Sequence, residues 1–430
     1  MAVIKQTLLG FERESLLTPF GFKGGFINDI WQISALIQDD DGREGLGLGV
    51  QSPLWSDSAV FKAFSPSAGN CAMFMMSQHA LNLLQGKKMD DPISMLKWLL
   101  PQVYDYGVDI TGIANMKMTF ALNALVPVDM ALWKLYCTKN GINSFDDLIA
   151  DKNIGLYSRQ KKIASIPTIS YSMSVEQIRK LADDGYFLIK LKLGNDPDKD
   201  NDYEKMLNWD VERLAQVHEI FRHLTTPYTS NSKIPYYLDA NGRYDTKDRL
   251  LRFLDRADKI GALDHIVIFE EPFPEEAGYD VSDIPVRLVA DECAHSVDDC
   301  ERLLGMGYKG FAIKPIAKTL SMSFMILERA FIAGIPCFCA DLTVNPLMVD
   351  WNKNVAARLE SFPGIKAGIM EVNGRQNYKN WEKMITQHPM GHAPWASEKE
   401  GIYELDEKFY KQSGGIFFDA PHYREMAING

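Results

Sequence analysis

Residues 186–194, YFLIKLKLG, set two lysines, Lys190 and Lys192, one residue apart in an apolar run that ends in glycine. A packed interior rarely takes an unpaired ammonium group, so this strand-like run needs a reason for its charges. Strand side chains alternate, so Lys190 and Lys192 share one face and Leu191 takes the other. On its own the pair fits an edge strand with solvated lysines. The segments around it favour an interior pair.

From about residue 162 onward, short apolar runs alternate with helical pattern. IASIP, FLIKLK, YYLDA, VIFE, RLVAD, FAIK, CFCAD and GIMEV make eight strand-like pieces. Ser174 with Gln177 predicts a capping box for the first intervening helix, which Gly185 ends, and further helices are expected over 246–260, after Ser296 and up to Gly334. Eight βα repeats predict an α/β protein with a TIM-type barrel. An open doubly wound sheet is disfavoured, because no glycine-rich dinucleotide fingerprint follows the first strand. Upstream, DIWQISALIQDDDGREGLGLGVQ alternates like two strands joined at Asp41-Gly42, and helical spacing follows over about 91–106 and 116–138. The expected division is an α+β module over 1–155 and a barrel over 156–384, with part of the tail of about 385–430 packing back on the first module. The stretch between Lys192 and Asp239 exceeds a minimal βα unit and predicts an inserted surface loop.

In such a barrel the functional side chains gather at the C-terminal strand ends. Lys192, Asp239, Glu270, Asp291 and Lys314 end the second to sixth predicted strands in turn. Singly, Asp239 reads as a helix cap in DANG, and Glu270 or Glu271 as a loop charge before Pro272. Together they point to one site. Carboxylates converging without histidine or thiolate partners make a hard oxygen site that suits Mg²⁺ better than zinc. A lysine beside a cation and a second lysine has its ammonium form disfavoured, and so reaches the neutral state that a base requires.

The ordered series KLKLG, LDANG, FEEPF, VADE and AIKP resembles the enolase superfamily in its mandelate racemase and muconate lactonising enzyme branch, and ALVPVDMALWKL resembles that family's capping-domain helix. The resemblance implies a modified (β/α) barrel closed by an N-terminal α+β capping domain. It implies Mg²⁺ on Asp239, Glu270 and Asp291, Lys192 as base, Lys190 as its electrostatic partner, and Lys314 as acid or base on the opposite face. Strand parity admits one of Glu270 and Glu271, and one of Asp291 and Glu292, to the lumen. Similarity to the family favours the first of each pair, leaving Glu271 and Glu292 as supporting or loop residues.

Departures from the family narrow the reaction. After the seventh strand stand Asp341, Thr343 and Asn345 where mandelate racemases carry a histidine, which disfavours a mandelate-type enzyme. Dipeptide epimerases carry Asp-x-Asp at the eighth strand, and this chain has Glu371-Val372-Asn373, which places binding of a free α-ammonium group in doubt. Glu371 binds a hydroxyl or cation, acts as an acid, or is a structural contact. Asn241, Asp341, Glu371 and Asn373 are the candidate substrate contacts of the barrel. From the cap, Lys23 in PFGFKGGF is placed to meet a distal substrate carboxylate, and Trp55 in QSPLWSD to exclude water; a surface or packing role is the alternative for both. His295 reads as a loop residue.

The expected function is Mg²⁺-dependent abstraction of a proton α to a carboxylate, giving an enediolate, in a racemase or epimerase that uses two opposed lysines. A dehydratase or cycloisomerase using the same intermediate is the alternative; a non-catalytic ligand-binding barrel and a metal-dependent aldolase are remoter. The formal charge of −11 without a long basic run argues against nucleic acid or membrane as a partner, leaving a small-molecule carboxylate and a homo-oligomer as expectations. Six scattered cysteines without CxxC spacing suggest neither a zinc cluster nor a disulfide scaffold. Early charges at Lys5, Glu12 and Arg13 are unlike a signal peptide, so a cytoplasmic location is expected.

Overall fold

The computed structural model describes residues 3–152 and 155–430. Residues 153 and 154, beside the expected boundary at 155, lie outside the described residues, as do residues 1 and 2. Strands β1 (Ile4–Phe22), β2 (Gly25–Asp39) and β3 (Glu44–Gln51) form an antiparallel sheet in that order. Gly42 has φ +77° in the turn between β2 and β3, as its glycine predicts. At the other hairpin, Phe22 pairs with Gly25, and Lys23 and Gly24 both take positive φ, 51° and 74°. The β1–β2 register slips between Ser15 and Phe20, so residues 16–19 leave the ladder and re-aim the side chains beyond them.

The alternating glycines of β3 explain how the sheet meets the helix Met118–Asn140. A Cβ on Gly47 would come within 2.0 Å of the Pro127 carbonyl oxygen, and one on Gly45 equally close to that of Ala131. Glycine at this period brings sheet and helix backbones together. The same helix docks the cap on the barrel: Asp129 accepts from the backbone N–H of Ser321 at 3.0 Å, at the start of the helix Leu320–Ile332, and the Trp133 indole donates to Ser321 Oγ at 2.9 Å. A carboxylate there satisfies an N–H that the helix itself leaves unpaired.

The barrel's first strand is split by Pro167 into β4 (Lys162–Ile166) and β5 (Thr168–Ile169). It is followed by β6 (Ile189–Lys192), β7 (Tyr236–Asp239), β8 (Ile266–Glu270), β9 (Leu288–Val289), β10 (Phe311–Ile313), β11 (Cys337–Cys339) and β12 (Gly368–Glu371). Parallel pairing runs β5-β6-β7-β8-β9 and β10-β11-β12-β4, and a bridge from Ala290 to Phe311 joins the two arcs. This is the expected eight-stranded closure, with helices between strands. The capping box of Ser174 and Gln177 forms, and Thr246 and Ser296 cap the helices that follow them.

The long segment after Lys192 contains the helix Tyr203–Phe221 with a loop on either side. The tail divides its contacts. Strand β13 (Ile402–Glu404) pairs antiparallel with β4, while the helix Pro421–Asn429 lies on the cap, where Ser34 Oγ donates to the Tyr423 carbonyl at 2.7 Å. Among the described residues no helix is long and apolar enough to cross a membrane.

Candidate active site

The register Lys192–Asp239–Glu270 sets three strand ends side by side. Lys190 and Lys192 are both interior, at 1% and 6% exposure, which excludes the solvated edge strand. Lys190 Nζ lies 2.9 Å from Asp239 Oδ2, 3.0 Å from Glu270 Oε2 and 3.1 Å from Glu371 Oε2. Lys192 Nζ lies 2.5 Å from Asp239 Oδ2 and 2.9 Å from Asn241 Oδ1. Both buried charges thus have the partners that burial demands.

Lys314, just beyond β10, pairs with Asp291 Oδ2, and its ammonium sits 4.5 Å from the centre of the Trp55 ring. A second lysine, Lys318, was not among the candidates. Its Nζ reaches Asp291 Oδ1 at 3.3 Å and donates to the Asp291 carbonyl at 2.9 Å. The spacing Lys314-x-x-x-Lys318 carried the signal: residues four apart share a face wherever the chain turns helically after a strand.

The two acidic doublets resolve differently. Glu270 faces the lysines, whereas Glu271, with φ 41°, turns back and accepts from the backbone N–H groups of Asp291 and Cys293. At the second doublet the parity expectation fails. Strand β9 ends at Val289, so alternation no longer governs Asp291 and Glu292, and both bring carboxylates to one place. Glu292 Oε1 accepts from Asn241 Nδ2 at 2.8 Å, and Glu270, Asp291 and Glu292 each offer an oxygen within 4.8 Å of the others.

These carboxylates fit a divalent cation. Among the described residues, Glu270 Oε1 and Glu292 Oε2 are buried with no hydrogen-bond donor, and Asp291 Oδ1 has the Lys318 ammonium at 3.3 Å but no geometrically formed hydrogen bond. Asp239 is more committed, with Oδ2 against both lysines and Oδ1 accepting from the Asn241 N–H. Buried acceptors left in such proximity are relieved by a cation, and an all-oxygen set suits a hard one.

The electrostatics follow from these pairings. Burial together with the Asp291 charge pushes the Glu270 carboxyl up to about 8, although Lys190 opposes this. Burial acts the same way on Asp239, but Lys190 and Lys192 overcome it and hold the carboxyl at about 2. For Lys190 and Lys314 burial favours the neutral amine, yet the facing carboxylates prevail and raise both above the ordinary lysine range. Lys190 and Lys314 face these carboxylates directly, and that attraction exceeds their mutual repulsion.

Of the candidate substrate contacts, Trp55, Asp341, Glu371 and Asn373 line one cavity of about 20 Å³ with Lys190, Lys192 and Lys314. Phe20 and Phe22 of the cap's hairpin close it from above. Glu371 is heavily engaged, accepting from Thr168 Oγ1 at 2.9 Å, from the Asp341 N–H at 3.0 Å and from Lys190. Asn241 stands behind the cavity between Lys192 and Glu292. Lys23 is not a cavity residue either. Its ammonium donates to the Trp55 carbonyl at 2.6 Å and reaches Glu292 at 3.4 Å, tying the hairpin to the barrel. His295 lies between Glu275 and Asp299.

Comparison with known proteins agrees with this architecture. Residues 173–317 match the family model described as enolase C-terminal domain-like. No curated protein matches the sequence. Among solved structures, a dipeptide epimerase from Cytophaga hutchinsonii, complexed with Mg and the dipeptide D-Ala-L-Val, superposes with a TM-score of 0.65 at 17% identity, covering 88% of each chain. The muconate lactonizing enzyme of Pseudomonas fluorescens, complexed with muconolactone, gives 0.63 at 15% identity over 88% of this chain and 90% of that one. An N-succinyl Arg/Lys racemase from Bacillus cereus gives 0.61 at 18% identity, over 88% of this chain and 89% of the other. At these identities the likeness concerns the fold.

Proposed function

We propose that this chain, whose residues 173–317 match the enolase C-terminal domain-like family model, abstracts the proton α to a substrate carboxylate and acts as a racemase or epimerase. The observation that carries the reading is that Lys192 and Lys314 line one cavity while bound to different carboxylates, Asp239 and Asp291. Residues 1–155, with the part of the 385–430 tail that packs on them, serve as the cap, and 156–384 as the catalytic barrel.

Asp239, Glu270 and Asp291 would hold Mg²⁺, with Glu292 beside them, and the ion would neutralise charge gathering on the substrate carboxylate. Lys192 Nζ, as the neutral amine, takes the α-proton on one face, and Lys314 Nζ, as the ammonium, gives one on the other. Lys190, fixed by three carboxylates, places positive charge where the substrate's oxygens gain negative charge. Trp55 and the hairpin phenylalanines keep water from the reacting carbon. Where the substrate carries a β-leaving group, the same abstraction ends in elimination or ring opening, so a dehydratase or cycloisomerase is the alternative outcome.

The reading includes a cytoplasmic homo-oligomer acting on a small-molecule carboxylate. It is tested by following α-proton exchange by NMR in D₂O across acid-sugar, amino-acid-derivative and cyclic carboxylate libraries, with and without Mg²⁺. Mg²⁺-dependent exchange on some member is expected. Exchange on none, with metal bound, would remove the assignment.

A further inference from the structure

A chamber of about 540 Å³ adjoins the active-site cavity, and Phe20 is a wall of both. The displaced residues of β1, including Thr18 and Pro19, form one side, and Ser170, Ser172 and Gln177 of the barrel form another. Among the described residues none of its lining side chains is charged; the charges of Lys180, Arg375 and Glu398 begin in the groove beyond Gln177 and Gln376. The Phe26 ring, 45% exposed, gives the chamber an apolar side.

Two buried polar groups point to what enters. Asn373 lines the inner cavity and its Oδ1 has no donor; Asn377 lines the chamber and its Nδ2 has no acceptor among the described residues. They are 3% and 9% exposed and lie one helical turn apart, the Asn377 N–H donating to the Asn373 carbonyl at 3.1 Å. A buried group without a partner is costly, so a ligand offering a donor to the first and an acceptor to the second recovers that cost twice. The acidic groups near Asn373 are already occupied. Glu371 has both oxygens engaged, and Asp341 accepts from the backbone N–H groups of Asn373, Leu342 and Val344.

We propose that the chamber is the subsite for a neutral, oxygen-bearing arm of the substrate, and that the α-substituent is an amide N–H or a hydroxyl rather than a free ammonium. The inference rests on the carbon-acid reading above. The N–H or O–H donates to Asn373 Oδ1, and an oxygen of the arm accepts from Asn377 Nδ2. The rings of Phe20 and Phe26 cover the arm's apolar face. An acyl chain and a sugar both supply such an arm.

The test measures binding by ligand-observed NMR and α-proton exchange in D₂O, both with Mg²⁺. The compounds are N-(3-hydroxybutanoyl)-L-alanine and 3-O-glucosylglycerate as neutral arms, N-succinyl-L-alanine as the acidic arm, N-(4-aminobutanoyl)-L-alanine as the basic arm, and L-alanine. At least one neutral arm is expected to bind tenfold or more tighter than either charged arm and L-alanine, and the better of the two names the source of the arm. Ser172→Asp, at an exposed position of the chamber wall, is expected to shift preference at least tenfold toward the aminobutanoyl compound. Charged arms or L-alanine binding as tightly as neutral ones, or a ranking unmoved by Ser172→Asp, would overturn the subsite. Binding of a neutral arm without exchange would keep the subsite and remove the proton-abstraction reading. Exchange indifferent to the arm would do the reverse.

Discussion

The ammonium of Lys190, on the second barrel strand, lies 3.1 Å from Oε2 of Glu371 on the eighth, so the closed barrel brings together residues 181 positions apart. Glu371 also receives the Asp341 N–H and the Thr168 hydroxyl, and it is 3% exposed. Glu371→Leu is therefore expected to destabilise the fold by about 2 kcal/mol, since it leaves the buried Asp341 N–H and Thr168 hydroxyl without their acceptor while Lys190 keeps Asp239 and Glu270. Urea denaturation monitored by tryptophan fluorescence measures this. A change below about 0.5 kcal/mol would be that of an ordinary surface substitution.

Mg²⁺ should stabilise the chain through the clustered carboxylate oxygens of Glu270, Asp291 and Glu292. At a hundredfold excess over Kd the gain is about 2.7 kcal/mol, read as a rise in Tm. Glu270→Gln and Asp291→Asn should each lose most of that rise. Glu292→Gln should lower it as well, because its carboxylate shares the cluster; an unaltered response would confine Glu292 to its bonds with Asn241 and Lys23.

His295 predicts a stability change on the alkaline side. Burial lowers its affinity for a proton, but Asp299 and Glu275 overcome this and raise the imidazole from 6.5 to about 9. A raised folded value means that the contribution is complete below about pH 6.5 and is lost as pH climbs through about 9. Denaturation midpoints should fall across that window in the parent protein, and His295→Asn should flatten this part of the profile.

The bond from Lys23 to the Trp55 carbonyl and its approach to Glu292 fasten the cap's hairpin over the cavity. Lys23→Asn keeps a residue that tolerates positive φ while removing the long ammonium arm. Amide hydrogen exchange over residues 21–26 should quicken by about tenfold or more, the signature of a loop losing local closing free energy. Equal protection in both proteins would mean that Phe20 and Phe22 hold the hairpin alone.

Much of this architecture is legible because short apolar strands end in polar residues followed by glycine or proline, as in LDANG and FEEPF. The capping box at Ser174 and the glycine turn at Asp41-Gly42 are local signals, and local signals survive folding. Glu292 escaped because period-two reasoning ends with the strand at Val289, two residues before the doublet begins. Lys23 escaped as a fastening because its carboxylate lies 269 residues away in sequence, and only the docked cap brings them together. The three-residue β13 carries too little pattern to announce itself; its pairing with β4 is a tertiary fact. The sequence set Lys190 beside Lys192, but not three carboxylates around one ammonium.

In the proposed reaction Lys192 and Lys314 work on opposite faces of one carbon acid. The direct measurement is α-proton exchange in D₂O from each separated enantiomer of a substrate, with Mg²⁺, in the parent protein and in Lys192→Ala and Lys314→Ala. Exchange is expected from both enantiomers in the parent, with loss from a different single enantiomer in each variant, by about 100- to 10,000-fold. Undiminished exchange in both variants, or loss from the same enantiomer in each, would contradict it.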